Sequence, residues 1–313
     1  MKIKNLVQRY VETRRVLGMR FRSEAVILNS FARIVGSKDA TDVSPAEVRG
    51  FLNGKGPLTT YWYHKASALR GLFRFARERG YMAHDPLPLE QPVKPDPMKP
   101  FIYSQDDIRR LLAATDGLGK HKLSALDPPT FRAILLLLYG AGLRIGEALA
   151  LTIHDVNLNE RLLTIRNTKF FKSRLVAIGP KLAGVLIDYA RGHRPGPARP
   201  TDAFFVSRKS RALSPQVAEK GFRRICSCAG VRREMGARYQ PRLHDLRHTF
   251  AVHRLIAWYR QGADVNHKLH RLSVHLGHSE LKHTQPYLSM TPALFAQALQ
   301  RFQNYAFPEV RHV

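Results

Sequence analysis

Arg242-Leu243-His244-Asp245-Leu246-Arg247-His248-Thr249-Phe250 is the stretch on which the reading of this chain turns. Residues three and four apart share a helix face, so a helix here sets His244 beside Arg247 and His248. His244 and His248 have the spacing of a helical zinc pair, which brings in a metallohydrolase. Against it, Asp245 stands where that motif has a glutamate, and Arg247 would repel the ion. A histidine and an arginine on one face are, by contrast, two donors for a single phosphate. The composition points the same way: 51 Lys and Arg against 24 Asp and Glu give a net charge of +27 over 313 residues. Such a surface repels itself and favours a polyanion, nucleic acid ahead of an anionic membrane.

Other classes drop out on composition. Hydrophobic residues at 44% and aromatics at 9% supply a core and exclude a disordered tail. The two cysteines, Cys226 and Cys228, are too few for a disulfide framework or a four-ligand zinc site, and read as packing residues of a reducing compartment. The amino end leads into no apolar segment, so no signal peptide is expected. The longest apolar run, 133–139, is far short of the ~20 residues a membrane span needs. These features predict an intracellular protein with no membrane partner.

Outward from the opening stretch, three further places carry donors. Downstream, His275-Leu276-Gly277-His278-Ser279 reads as a helix opening at Gly277-His278, and Thr284-Gln285-Pro286-Tyr287-Leu288 follows, with Tyr287 nine residues beyond His278. Upstream, Gly142-Leu143-Arg144-Ile145-Gly146-Glu147 puts Arg144 at a helix start after a glycine turn, where free N–H groups help grip a phosphate. Between them, alternating runs at 162–165 and 174–178 predict a β-hairpin whose basic tip, Thr168-Lys169-Phe170-Phe171-Lys172-Ser173, reaches out from the sheet. Each alone has an ordinary reading: a surface helix pair, a solvated turn, a buried tyrosine. Together, Arg144, Lys169, His244, Arg247 and His278 form a donor set with no matching acidic metal ligands. That set suits a pentacoordinate phosphorus without a metal, and Tyr287 supplies the missing nucleophile. A cationic cluster around it favours the phenolate over its ordinary pKa of about 10.

The rest of the chain predicts a mainly α fold with a small β-hairpin or sheet, of class α+β. Six prolines between Pro86 and Pro100 bar helix and central strand, so 85–100 reads as an extended linker. Before it, 1–84 is helical: Leu6, Tyr10 and Leu17 mark one helix, and Ala25, Leu28, Phe31, Ala32 and Val35 a second. Ser44-Pro45-Ala46-Glu47 is a capping-box start, and 61–79 a long helix with Ala68, Leu72, Phe75 and Ala76 inward. Its other face carries Lys65, Arg70, Arg74 and Arg77, either a solvated face or a DNA contact. In 101–313, Ser104 starts a helix, 131–139 is apolar all round and predicts a buried helix, and 143–151 resumes a helical pattern.

On these residues the chain resembles the tyrosine recombinases, or phage-type integrases. The likeness rests on Gly-Leu-Arg-x-x-Glu at Arg144, the hairpin Lys169, His244-x-x-Arg247, Leu-Gly-His at His278, and Tyr287 nine residues on, with order and spacing matched over the whole chain. It implies an N-terminal core-binding domain (1–84) and a catalytic domain with a C-terminal oligomerisation tail (101–313), forming a C-shaped clamp around DNA. By the same likeness Tyr287 attacks the scissile phosphate and is joined to the 3′ phosphate. Arg144 and Arg247 hold the nonbridging oxygens, and Lys169, with Lys172 as its rival, protonates the departing 5′ oxygen. His244 and His278 donate hydrogen bonds or shuttle the tyrosine proton, and Glu147 orients Arg144. Lys65, Arg70, Arg74, Arg77 and Arg174 are candidate DNA contacts. No metal, ATP or other cofactor is implied. The implied partners are double-stranded DNA, a tetramer of this chain on two sites, and sister recombinases, in a bacterial cytoplasm at the nucleoid. The tail 287–292 also resembles recombinases of transposable elements. Alternatives are a type IB topoisomerase-like enzyme and a catalytically silent DNA-binding accessory or regulator.

Overall fold

The computed structural model describes residues 1–93, 98–120, 126–166, 173–195, 199–234, 239–278, 280–289, 296, 298–300 and 302–303. The hairpin tip with Lys169, Phe170, Phe171 and Lys172, and the tail residues Leu294 and Phe295, lie outside them. The chain divides into two compact units, Met1–Pro97 and Met98–Val313.

The first unit holds α1 (Ile3–Val16), α2 (Arg22–Val35), α3 (Pro45–Asn53) and α4 (Thr60–Glu78). Its core gathers one stripe from each helix: Leu6 and Tyr10, Leu28 and Phe31, Phe51 and Leu52, Leu69, Leu72 and Phe73. The capping box at α3 forms as its sequence predicts, with Glu47 N–H donating to Ser44 Oγ at 3.3 Å and Ser44 N–H to the Glu47 carboxylate at 3.0 Å. Leu17, expected inside the first helix, lies just past its end and is 65% exposed.

The second unit is built around α6 (Pro128–Ala141), which packs on α10 (Asp245–Arg260). Asp127 caps α6 with Pro128 at its first position. Near its end the helix runs on through Gly140, where a Cβ would come 3.0 Å from Leu182, and stops at Gly142. Around this pair lie α5 (Gln105–Ala114), the short α7 (Ile145–Leu149), α8 (Pro180–Asp188), α9 (Pro215–Ala229) and α11 (Val265–Leu276). A three-stranded antiparallel sheet joins β1 (Val156–Asn157), β2 (Leu162–Ile165) and β3 (Arg174–Ala177), with Ile165 opposite Arg174. The hairpin was legible in alternation; the two-residue β1 is too short to show any. No helix among the described residues is long and apolar enough to cross a membrane.

Candidate active site

α10 opens at His244, whose backbone is already helical. The entry is fixed by the buried carboxylate of Asp245, which accepts from the backbone N–H of Arg242 at 3.0 Å and from its guanidinium at 2.7 Å. One turn in, Arg247 is 1% exposed. Its guanidinium donates to the Gly142 carbonyl at 2.8 Å and to the Leu276 carbonyl, so one side chain ties the end of α6 to the end of α11. Both helices finish on a left-handed glycine, Gly142 at φ +64° and Gly277 at φ +66°. Terminal carbonyls without an intrahelical partner are what Arg247 collects. The glycines also leave room: a Cβ at Gly142 would collide with the Phe250 ring, and one at Gly277 would lie 2.8 Å from the Arg174 guanidinium.

These two turns deliver the residues that follow them. After Gly142, Arg144 is the N-cap of α7 and its N–H donates to Glu147 Oε2 at 3.0 Å, while its guanidinium donates to Oε1 at 2.8 Å. The Arg144 side chain is 40% exposed, so its charge faces solvent. After Gly277, His278 donates its N–H to the Ser273 carbonyl at 3.0 Å. Gly277 therefore closes α11 and does not open a helix, correcting the expectation at Gly277-His278. Sequence alone did not separate the two because glycine punctuates either end.

The nucleophile candidate Tyr287 lies in a 3₁₀ segment, Gln285–Ser289, and is 3% exposed. The charges of Arg247 and Arg144 act on its hydroxyl. The ring sits 5.5 Å from that of His248 and 6.3 Å from that of His278 between centroids, nearly parallel to the latter. His278 Nδ1 is 2.7 Å from the hydroxyl of the buried Thr284, and His244 meets His248 edge to face at 4.9 Å. The site thus brings together Arg144, Glu147, His244, Arg247, His278 and Tyr287. Lys169 and Lys172 fall in the tip outside the described residues.

Burial sets the electrostatics. It holds His244 down at about 4, helped by the Arg247 charge, His248 at about 4, and His278 at about 3, helped by Arg247 and Arg144. All three rings are neutral at pH 7 and offer hydrogen bonds, not charge. Burial likewise lowers Arg247 to about 10. For Tyr287 burial outweighs the pull of Arg247 and Arg144, so its phenol is raised above the ordinary value. The expected phenolate is therefore reversed in the DNA-free protein, because desolvation of an anion is a larger effect than two partly shared guanidinium charges.

Arg174 is also corrected. Expected as a DNA contact, it is 11% exposed and donates to both oxygens of Glu147, at 3.1 and 2.9 Å, and to the His275 carbonyl at 2.9 Å. Lys65 is turned inward too: its ammonium donates to the Phe51 carbonyl at 2.7 Å at the end of α3 and lies over the Phe51 ring. Arg77 pairs with Asp85 at 4.0 Å. Arg70 and Arg74 are exposed and line an open cleft of about 530 Å³ with Arg14, Tyr61 and His64. Sequence reasoning missed Thr284 and the place of His248, which it weighed only as half of a zinc pair. Among the described residues no set of three or more His, Cys, Asp or Glu gathers to hold a metal.

Comparison with known proteins places this geometry. The profile of the phage integrase family matches residues 102–293. A protein of Sinorhizobium fredii named "Putative integrase/recombinase y4rB" is 33% identical over 306 residues, 95% of this chain and 96% of that one. Tyrosine recombinase XerD of Pseudomonas aeruginosa is 33% identical over 234 residues, covering 72% of this chain and 70% of its own. Among solved structures, the Tn1549 transposon integrase in complex with transposon right end DNA aligns over 99% of this chain and 100% of that chain, with a TM-score of 0.66 and 16% identity. A lambda integrase dimer bound to a COC′ core site aligns over 90% and 96%, with a TM-score of 0.63 and 17% identity. The latter two establish the shared fold, and the family match with the two sequence relatives establishes that this chain belongs to the phage integrase family, the tyrosine recombinases.

Proposed function

We propose that the chain is a site-specific DNA recombinase of a mobile genetic element that cuts and rejoins DNA through a 3′-phosphotyrosyl intermediate, without metal or ATP. The observation that carries this reading is the buried Tyr287 ring set against the rings of His248 and His278, where the charges of Arg247 and Arg144 act on its hydroxyl. Tyr287 Oη attacks phosphorus and the bond to the 5′ oxygen breaks. The phenol proton passes to a histidine, His278 or His244, and the leaving 5′ oxygen takes a proton from Lys169, with Lys172 as the other candidate. Arg144 and Arg247 hold the two nonbridging oxygens, where preorganised donors act most strongly on the charge that develops. Because the phosphodiester is exchanged for a phosphotyrosyl ester, the reverse attack by a 5′ hydroxyl reseals the strand with no external energy.

Binding is by the first unit through Arg70 and Arg74, with Arg77 alongside, and by the catalytic unit. Lambda integrase is known as a tetramer bound to a Holliday junction, and we take a tetramer on two sites as the working assembly here, acting at the nucleoid in the cytoplasm. Support for a mobile element comes from the integrase/recombinase relative and from the residues that follow Tyr287.

The test is a pool of nicked duplexes of randomised sequence incubated with the chain in EDTA. Denaturation-resistant protein–DNA adducts, absent with Tyr287→Phe, are expected. A chain that binds DNA and yields no adduct from any duplex would instead be an accessory binder.

A further inference from the structure

Glu147 sits among three guanidiniums. Its oxygens are 2.8 Å from Arg144, 2.9 and 3.1 Å from Arg174, and 3.8 Å from Arg247. Counting the Arg144 N–H, the four acceptor sites of the carboxylate are taken, two of them by the parallel fork of Arg174. Burial pushes the Glu147 carboxyl up, but the bonds and charge of Arg174, with those of Arg144, more than reverse this and hold it at about 2. The carboxylate is therefore a fixed negative charge within reach of both arginines assigned to the phosphate.

The two outer partners differ. The Arg144 side chain is 40% exposed and Arg174 is 11% exposed. Arg174 also spends its Nε–H on the His275 carbonyl at 2.9 Å. Its guanidinium occupies the space a side chain at Gly277 would fill, since a Cβ there would lie 2.8, 2.9 and 3.1 Å from Nη1, Cζ and Nε. Strand, helix end and glycine turn together build a seat for this one side chain.

We infer that Arg174 is a positioning residue that keeps Glu147 occupied, so that this carboxylate does not hold Arg144 and Arg247 back from the scissile phosphate. A carboxylate paired by Arg174 lets the Arg144 guanidinium turn to an incoming phosphate oxygen while its backbone N–H stays on Glu147. Without Arg174, the uncompensated charge of Glu147 competes with the phosphate for both guanidiniums and repels the phosphate itself. The inference rests on the recombinase reading above.

The experiment uses one nicked duplex recovered from the adduct selection, carrying at the cleaved position either an ordinary phosphate or a methylphosphonate, in which an uncharged methyl replaces one charged oxygen. On phosphate, Arg174→Gln is expected to form adduct roughly 10–100-fold more slowly than wild type, the order seen when the outer partner of a metal-binding side chain is lost. Two results then distinguish positioning from simple structural support. Glu147→Gln introduced into Arg174→Gln recovers rate, because the competing charge is gone, and the deficit of Arg174→Gln shrinks on methylphosphonate, as does that of Arg144→Ala. Arg174→Lys keeps the charge and loses the fork; it falls between wild type and glutamine on phosphate and serves if the glutamine variant does not fold. Equal deficits on both substrates with no recovery in the double variant overturn the inference. If wild type forms no adduct on any duplex, the recombinase reading itself has failed.

Discussion

Gly142 turns the chain between the central helix and Arg144, and its replacement has a cost that can be worked from the structure. Its φ of +64° belongs to the left-handed region, where a residue bearing a Cβ loses about 1–2 kcal/mol. A Cβ there also collides with the Phe250 ring and lies 3.0 Å from Leu276, and overpacking a filled core costs about 1–3 kcal/mol more. Gly142→Ala should therefore destabilise the second unit by roughly 2–5 kcal/mol. Gly262, in the same unit at φ +66°, has nothing within 4 Å of its Cβ position, so Gly262→Ala bears the conformational cost alone, about 1–2 kcal/mol. The chain has 2 tryptophans, Trp62 and Trp258. In a Trp62→Phe background the fluorescence of Trp258 follows urea unfolding of the second unit by itself. With slopes of about 1–3 kcal/mol per molar urea, the two midpoints should differ by on the order of 1 M. Coincident midpoints would refute the packing argument, because the two glycines share a backbone conformation and differ in what surrounds them.

Acid should unfold the second unit early. His244 and His248 are held at about 4 and His278 at about 3, against 6.5 in the unfolded chain. The unfolded state thus takes up protons first, and stability is full above 6.5 and lost as pH falls from there towards 4; melting temperatures that rise on acidification through that window would contradict it. Arg70→Ala and Arg74→Ala should weaken binding to any duplex and reduce the log–log salt slope by about 1 each, without changing stability. Lys65→Met should leave that slope alone and cost the first unit about 1 kcal/mol, since its bond at 2.7 Å caps α3. Thr284→Val removes the bond at 2.7 Å that orients His278 and should slow adduct formation roughly 10-fold; an unchanged rate would show that His278 needs no partner.

Helices with one apolar stripe were readable because a period of 3.6 is a local property of the sequence. So were the capping box at Ser44, where donor and acceptor stand three residues apart, and the helix start at Ser104. The motif residues Arg144, His244, Arg247, His278 and Tyr287 were legible as a set, although 143 residues separate the first from the last. What could not be read is which charged side chain folds inward. Arg174 and Lys65 look like any exposed basic residue, and their partners Glu147 and Phe51 lie 27 and 14 positions away. The sign of the shift on Tyr287 was equally hidden, since it depends on how much water the fold removes from the ring.

The central claim is that Tyr287 becomes bonded to DNA. The most direct measurement digests the adduct formed in EDTA with trypsin and sequences the DNA-linked peptide by mass spectrometry. The fragment 283–301 contains a single tyrosine, Tyr287. The account predicts that this peptide carries the nucleotide through a 3′ phosphate on Tyr287, leaving a free 5′ hydroxyl on the other DNA fragment. Linkage through another residue, a 5′ attachment, or adduct formation that requires a divalent metal would contradict it.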